Sequence, residues 1–239
     1  MRKTDLTVWI GWDSREPIAA EVLEYSIRKH ASEPIDINFL KLDELKEHGF
    51  DRPLEKRNGR FWDPISEAYA STEFACSRFM ALLIQKSGIG VFMDCDMLFV
   101  DDIFDLYQEI DPRKAVHCVQ HNHIPTSVVK MDGQKQTIYP RKNWSSFFVF
   151  NADHPANDNL TLNTVNTVPG RHLHRFCWLH DREIGALQPG WNWLVNEQPK
   201  PTPLYNAHFT LGGPWFDDWV TQKNDDLWDM YFADYKANK

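Results

Sequence analysis

The sequence predicts an α/β fold, a single domain built on a mainly parallel central sheet flanked by helices. Two observations predict it. Apolar runs of strand length alternate along the chain with stretches whose apolar residues recur at helical spacing, the order that places a crossover helix between parallel strands. With 239 residues and 42% hydrophobic positions, the chain is also long enough to bury one sizeable core without dividing. It shows no internal repeat and no low-complexity segment that would point instead to a solenoid or a tail.

Leu6-Thr7-Val8-Trp9-Ile10 reads as a buried first strand. Pro17 then opens a helix, because a helical first turn leaves its N–H unpaired in any case, and Ile18, Ala19, Val22, Leu23 and Ile27 supply the apolar face. Ile35-Asp36-Ile37-Asn38-Phe39 alternates as a second strand, and the charge, Gly and Pro of 48–63 read as a surface loop. A long helix is expected from about 66 to 85, with Phe74, Phe79, Leu82 and Leu83 on one face and Gly88 and Gly90 ending it before the strand Val91-Phe92-Met93. Further strands are expected over 115–119 and 147–150. The segment 151–175, rich in Asn, Thr and Pro, reads as a mobile connection near the site, and beyond Trp191 only a short helix after Asn224 is expected.

Composition narrows the function. The net charge of −8 is spread along the chain without a basic stripe, which excludes a nucleic-acid backbone as the main partner. Cys76, Cys95, Cys118 and Cys177 form no CxxC pair, so neither a disulfide framework nor a zinc site is expected, and a reducing compartment fits best. The run from Leu6 to Ile10 is too short for a signal-peptide core, and no stretch approaches membrane-span length. The expected location is therefore cytoplasmic, and the sequons at Asn143 and Asn159 are chance matches.

The most informative stretch is Val91-Phe92-Met93-Asp94-Cys95-Asp96-Met97-Leu98-Phe99-Val100. An apolar strand ending in two acids places both at the carboxyl edge of the sheet, where open α/β folds bind ligands. Two carboxylates about 4 Å apart repel by roughly 4 kcal/mol at an effective dielectric near 20, so a cation, a proton or solvent must relieve them. Oxygen ligands of this kind suit Mg²⁺ or Mn²⁺, which keep coordination positions for phosphates. Solvated turn acids would give the same tripeptide. The same hydrophobic-Asp-x-Asp pattern also opens haloacid-dehalogenase-type phosphatases, where it lies in the first strand and continues with Thr or Val rather than Met97.

Other residues give the motif context. Arg78 precedes the acidic strand, and His208-Phe209-Thr210-Leu211-Gly212-Gly213-Pro214-Trp215 joins an imidazole to a Gly-rich turn. With Asp13 after the first strand, the strand end Phe150-Asn151, and Asp181 followed by Leu187-Gln188-Pro189-Gly190-Trp191-Asn192, the chain resembles the glycosyltransferases of the A-type (GT-A) fold. Within them it is most similar to family eight, the glycogenin and lipopolysaccharide galactosyltransferase group. The resemblance covers most of the chain and implies one GT-A domain, with a nucleotide-binding half over about 1–120 and an acceptor-side half over about 121–239.

The resemblance further implies that Asp94, Asp96 and His208 hold Mn²⁺ (or Mg²⁺) bridging the diphosphate of a nucleotide-sugar donor, with UDP as the nucleotide. It assigns Asp13, Arg78, Asp94, Cys95, Asn151, Gly212 and Gly213 to donor binding, and Asp181 or Glu183 to the sugar-facing catalytic position. Two departures stand out. The family's Asp-Gln is here His180-Asp181-Arg182-Glu183, and the Lys it often carries before Pro-Trp is Gly213, so one phosphate-binding charge is either missing or supplied from elsewhere. The implied reaction is transfer of a hexose to a hydroxyl acceptor (a glycan, a lipid-linked sugar or a small molecule) with retention of configuration. A phosphatase, or a module that binds nucleotide-sugar without turnover, are the alternatives. His117, His121 and His123, or His172 and His174, could be read as metal clusters, but no Cys or acid completes a set. Trp191, Trp193 and Trp215 are candidates to stack on a sugar.

Overall fold

In the computed structural model, which describes residues 6–122 and 141–239, β1 (Leu6–Gly11) runs through the core with Val8 and Ile10 wholly buried. Helix α1 (Pro17–His30) has Pro17 in its first turn and buries Ala19, Ala20, Val22, Leu23 and Ile27. β2 (Asp36–Leu40) returns parallel to β1. A small antiparallel sheet comes next, formed by β3 (Glu55–Arg57), β4 (Arg60–Asp63) and β5 (Ala68–Tyr69). A 3₁₀ turn, Ser77–Phe79, leads into the short α2 (Met80–Ile84) and the fully buried β6 (Ile89–Met93). The chain continues through β7 (Met97–Phe99), β8 (Val116–Cys118) and β9 (Phe147–Asn151). It then passes through α3 (Leu162–Thr167), α4 (Gly170–Leu173), β10 (Ile184–Ala186), β11 (Trp193–Leu194), β12 (Asn206–His208) and α5 (Asp225–Asn238).

The predicted α/β architecture is what the chain adopts. The main sheet has the order β10-β8-β9-β6-β1-β2, and β1 is parallel to both β2 and β6, as β10 is to β8. The exception is β9, antiparallel to β6 and to β8. Its first residue pairs with Met93 and its last with Ile89, so β8 ends and β9 begins at the same edge of the sheet. A second sheet, β11-β12-β7, packs with α1 and α5 around Val22, Leu98, Trp193, Val195, Ala207, Phe209, Trp228 and Tyr231.

Four expectations are corrected. The long helix over 66–85 is confined to Ser77–Ile84. Upstream, Ala68–Tyr69 pairs with β4, Ser66 Oγ accepts from the Gly170 N–H (2.8 Å), and the Glu73 N–H donates to Asp13 Oδ2 (3.2 Å). These tertiary partners take groups that a helix would have paired within itself. The 48–63 loop contains the β3–β4 hairpin, turned by Asn58 (φ 50) and Gly59 (φ 77), both left-handed as a two-residue turn requires. The 151–175 segment is packed, with Thr161 capping α3 and Val165 and Leu173 fully buried. Beyond Trp191 the chain forms two strands and the fourteen-residue α5, larger than the short helix expected.

Candidate metal centre and active site

Asp94 follows the last residue of β6, so the parallel sheet delivers it to its carboxyl edge, and its N–H is held by the Ser146 carbonyl (2.9 Å) at the start of β9. Asp96 precedes β7. Antiparallel pairing of His208 with Met97, extended by the Phe209 N–H donating to the Asp96 carbonyl (2.9 Å), closes the long stretch of chain between them. As a result Asp94, Asp96 and His208 each present a ligand atom within 4.8 Å of the others, the one such cluster among the described residues. His208 Nε2 lies 3.3 Å from Asp96 Oδ1.

The imidazole is oriented from behind. Nδ1 of buried His208 is 2.9 Å from Asn192 Oδ1. The Asn192 amide is itself fixed, since its Nδ2 donates to Ser146 Oγ (3.0 Å) and the Asn143 carbonyl (3.4 Å). An amide oxygen can only accept, so Nδ1 carries a proton and Nε2 is the ring nitrogen turned toward the two acids. Two carboxylate oxygens and one imidazole nitrogen fit a divalent first-row cation. Arg78, 4% exposed, lies against Asp94 with Nη1 2.8 Å from Oδ1, and also donates to the Ser145 and Ala75 carbonyls.

Two clefts meet at this cluster. The larger, about 320 Å³, is bounded by Tyr69, Ser71, Thr72, Arg78, Lys142, Asn143, Ser145, Arg171, His174 and the three candidate ligands. The smaller, about 210 Å³, is lined by Arg15, Glu16, Gly212, Phe216 and Trp219 and shares Asp96, Ser71, Thr72 and Thr210 with the first. Glu16 sits against the centre, accepting from Trp215 Nε1 (2.9 Å). Burial, then the negative charges of Asp96 and Asp13, push its acid up to about 8 against the opposing pull of Trp215 and Arg15.

The other expected site residues divide. Gly212 lines the smaller cleft at φ 106, a backbone that glycine adopts without strain, whereas a Cβ on Gly213 would lie 2.1 Å from the Trp215 ring. Asp13 is wholly buried, and its oxygens accept from Arg15 Nε (2.9 Å), Arg15 Nη2 (2.7 Å) and the Glu73 N–H, so it is Arg15 and Glu16 that reach the cleft. Cys95 turns its side chain into the core, where burial and the neighbouring acids raise its thiol. Asn151 pairs with Ile89 at the opposite end of β6 from Asp94, because β9 is antiparallel.

Asp181 and Glu183 are not brought to the cleft. They precede β10, whose parallel pairing with β8 places them at the sheet edge away from Asp94; Asp181 is exposed and ion-paired with Arg141, and Glu183 accepts from the His180 N–H (2.7 Å). Gly170, Arg171 and His174 of the α4 region line the cleft instead, with His174 Nδ1 2.8 Å from Ser145 Oγ. Burial, then the charges of Arg78 and Arg52, hold this imidazole neutral.

Of the proposed histidine clusters, His123 lies outside the described residues, and His117 is buried and accepts from the Asp111 N–H (3.0 Å). Trp191 is buried in a stack on Tyr205 and Trp193 donates to the Gln198 carbonyl, so only Trp215, through Glu16, belongs to the site. Sequence reasoning missed Glu16, Lys142, Ser145 and Arg171, read Asn143 only as a sequon and weighed His174 only as a metal ligand. It quoted Asn192 without a role.

No known family profile matches the chain. Protein CDI of Arabidopsis thaliana is 39% identical over 244 residues, covering 99% of this chain and 90% of that protein. Among solved structures, the WbbM bifunctional glycosyltransferase superposes at a TM-score of 0.61 with 13% identity, over 99% of this chain and 50% of that one, so the chain spans half the length of WbbM. GlyE, a glycosyltransferase of Streptococcus pneumoniae TIGR4, superposes at 0.59 with 11% identity over 98% of this chain and 62% of its own. The galactosyltransferase LgtC, solved with donor and acceptor sugar analogs, superposes at 0.58 with 10% identity over 95% of each chain. At 39% identity along nearly its whole length, the chain belongs to the family of Protein CDI, and its fold is that of the GT-A glycosyltransferases.

Proposed function

We propose that the protein is a metal-dependent glycosyltransferase that moves a hexose from a nucleoside diphosphate donor, UDP by family resemblance, to a hydroxyl acceptor with retention. The observation that carries the reading is the convergence of Asp94, Asp96 and His208 at the carboxyl edge of a GT-A sheet. These residues would hold Mn²⁺ or Mg²⁺, which when bound neutralises the departing diphosphate. Asn192 keeps His208 Nε2 directed at the site and Arg78 fixes Asp94, so the ligand set is preorganised. The smaller cleft, with Phe216, Trp219 and the Gly212 turn, suits the nucleoside; the larger, walled by hydroxyls and amides, suits the sugar and the acceptor. With Asp181 and Glu183 at the far edge, Ser145 and neutral His174 are the polar groups offered to the sugar. Arg15 lines the cleft beside Gly212 and supplies the cation absent at Gly213.

Release of free nucleoside diphosphate from a panel of nucleotide-sugars with Mn²⁺ tests this. Turnover is expected with one donor, abolished in Asp96→Ala and retained in Asp181→Asn. Phosphate release from monoesters would indicate the phosphatase, and tight donor binding without turnover the inactive module.

A further inference from the structure

The charges around the larger cleft are unevenly placed. At one end stand Asp94, Asp96 and His208, with Arg78 against Asp94. The remaining acid of the lining, Asp63, is neutralised by buried Arg52 (2.6 Å). The described lining also carries two basic side chains that do not line the smaller cleft, Lys142 in the turn before β9 and Arg171 in α4. At the same mouth Tyr69 is 41% exposed, and the Arg60 guanidinium lies 4.5 Å from its ring centroid. Neither Arg60 nor Arg171 forms an ion pair among the described residues. In a chain of net charge −8, basic side chains gathered at the rim of a hydroxyl-lined cleft, beside an open aromatic face, form a surface selective for charge and for sugar.

Resting on the transferase reading, we propose that this mouth is an acceptor subsite for a saccharide carrying a negative charge, a carboxylate or a phosphate. The donor diphosphate belongs where the two clefts join, at Asp96 and Thr210, and the nucleoside extends from there into the smaller cleft. A group lying beyond the transferred sugar therefore meets Arg171, Lys142 and Tyr69. Arg171 presents a planar fork to an oxyanion and Tyr69 presents a ring to the C–H face of a pyranose.

The test uses the full chain with UDP and Mn²⁺ on an array of matched glycans: neutral, uronate-containing and phosphorylated. Binding to charged members is expected to exceed that to their neutral counterparts by about tenfold or more, as a charge-assisted contact gives, and the uronate and phosphate arms identify the anion. Arg171→Ala should bring the ratio close to one, Arg171→Lys should keep part of it, and Tyr69→Ala should weaken binding to the whole series. Equal binding to neutral glycans, or binding to none, overturns the proposal. So does calorimetry showing that UDP-glucuronate is preferred over UDP-glucose through Arg171, since the charge would then sit on the donor. UDP binding with Mn²⁺ is measured separately. Its absence would remove the transferase reading, and the array run with unloaded protein would still decide whether the rim selects charge.

Discussion

Glu16 keeps its proton at a pH where a surface glutamate has lost it. Folded, its acid lies at about 8, raised by burial and by Asp96 and Asp13, against a usual value of 4.5. Between those values the folded chain binds more protons than the unfolded one, so the stability associated with this group is present below about pH 4.5 and is lost as pH rises toward 8. Glu16→Gln should flatten the dependence and raise stability at pH 8.5, without metal, by on the order of a few kcal/mol. Urea unfolding in EDTA at pH 5 and pH 8.5 measures it; an unchanged difference between the two pH values in the variant would reject the assignment.

Asn192 offers a second test at this scale. Its Oδ1 holds the His208 proton on Nδ1, and removing such a partner typically weakens metal binding about 10- to 100-fold. Asn192→Ala should lower Mn²⁺ affinity by that amount in calorimetry and, by leaving the buried His208 Nδ1–H unpaired, should cost about 1–3 kcal/mol of stability. Unaltered affinity would show that the tautomer is set by other means. Asn192 stood in a quoted segment, yet only its contact with a residue on another strand gives it a role.

Among the elements, the small β3–β5 sheet shows what local sequence contained and what it did not. Asn58-Gly59 is a strong two-residue hairpin signal, set here between Arg57 and Arg60, and could have been read directly. No periodicity, by contrast, announces that Arg52 reaches back to Asp63 and to the carbonyls of Val165 and Val168, pinning this sheet to the end of α3. A Cβ at Gly59 meets nothing within 4 Å, so Gly59→Ala tests the backbone alone and should destabilise by about 1 kcal/mol through its left-handed φ. Arg52→Ala leaves a buried carboxylate unpaired and should destabilise by about 3–5 kcal/mol, with faster amide exchange over 55–69. Similar losses from the two variants in chemical denaturation would contradict the buried pairing.

At the scale of the whole molecule, ligand binding should appear as linkage. If the centre bridges a diphosphate through an ion, UDP at a hundredfold excess over its Kd stabilises by about 2.7 kcal/mol, roughly 5–10 °C in melting temperature for a chain of this size. The shift is expected with Mn²⁺ and should nearly vanish in EDTA; equal shifts in both buffers would exclude the bridging ion. The structure also carries no helix long and apolar enough to cross a membrane among the described residues.

The sequence by itself determined the α/β class, the βα start at Pro17 and the strand ending in Asp94, because strand and helix periods and short motifs are local properties, whereas His208 was joined to the two acids through family resemblance. Tertiary structure decided the rest. The pairing of β12 with β7 brings His208 to Asp96, the antiparallel course of β9 carries Asn151 to the far edge, and the β10–β8 register removes Asp181 and Glu183 from the cleft in favour of Arg171 and His174. Strand direction and register between distant segments are set by which faces bury together and on which edge a connection returns, and neither is encoded in the spacing of residues along one segment.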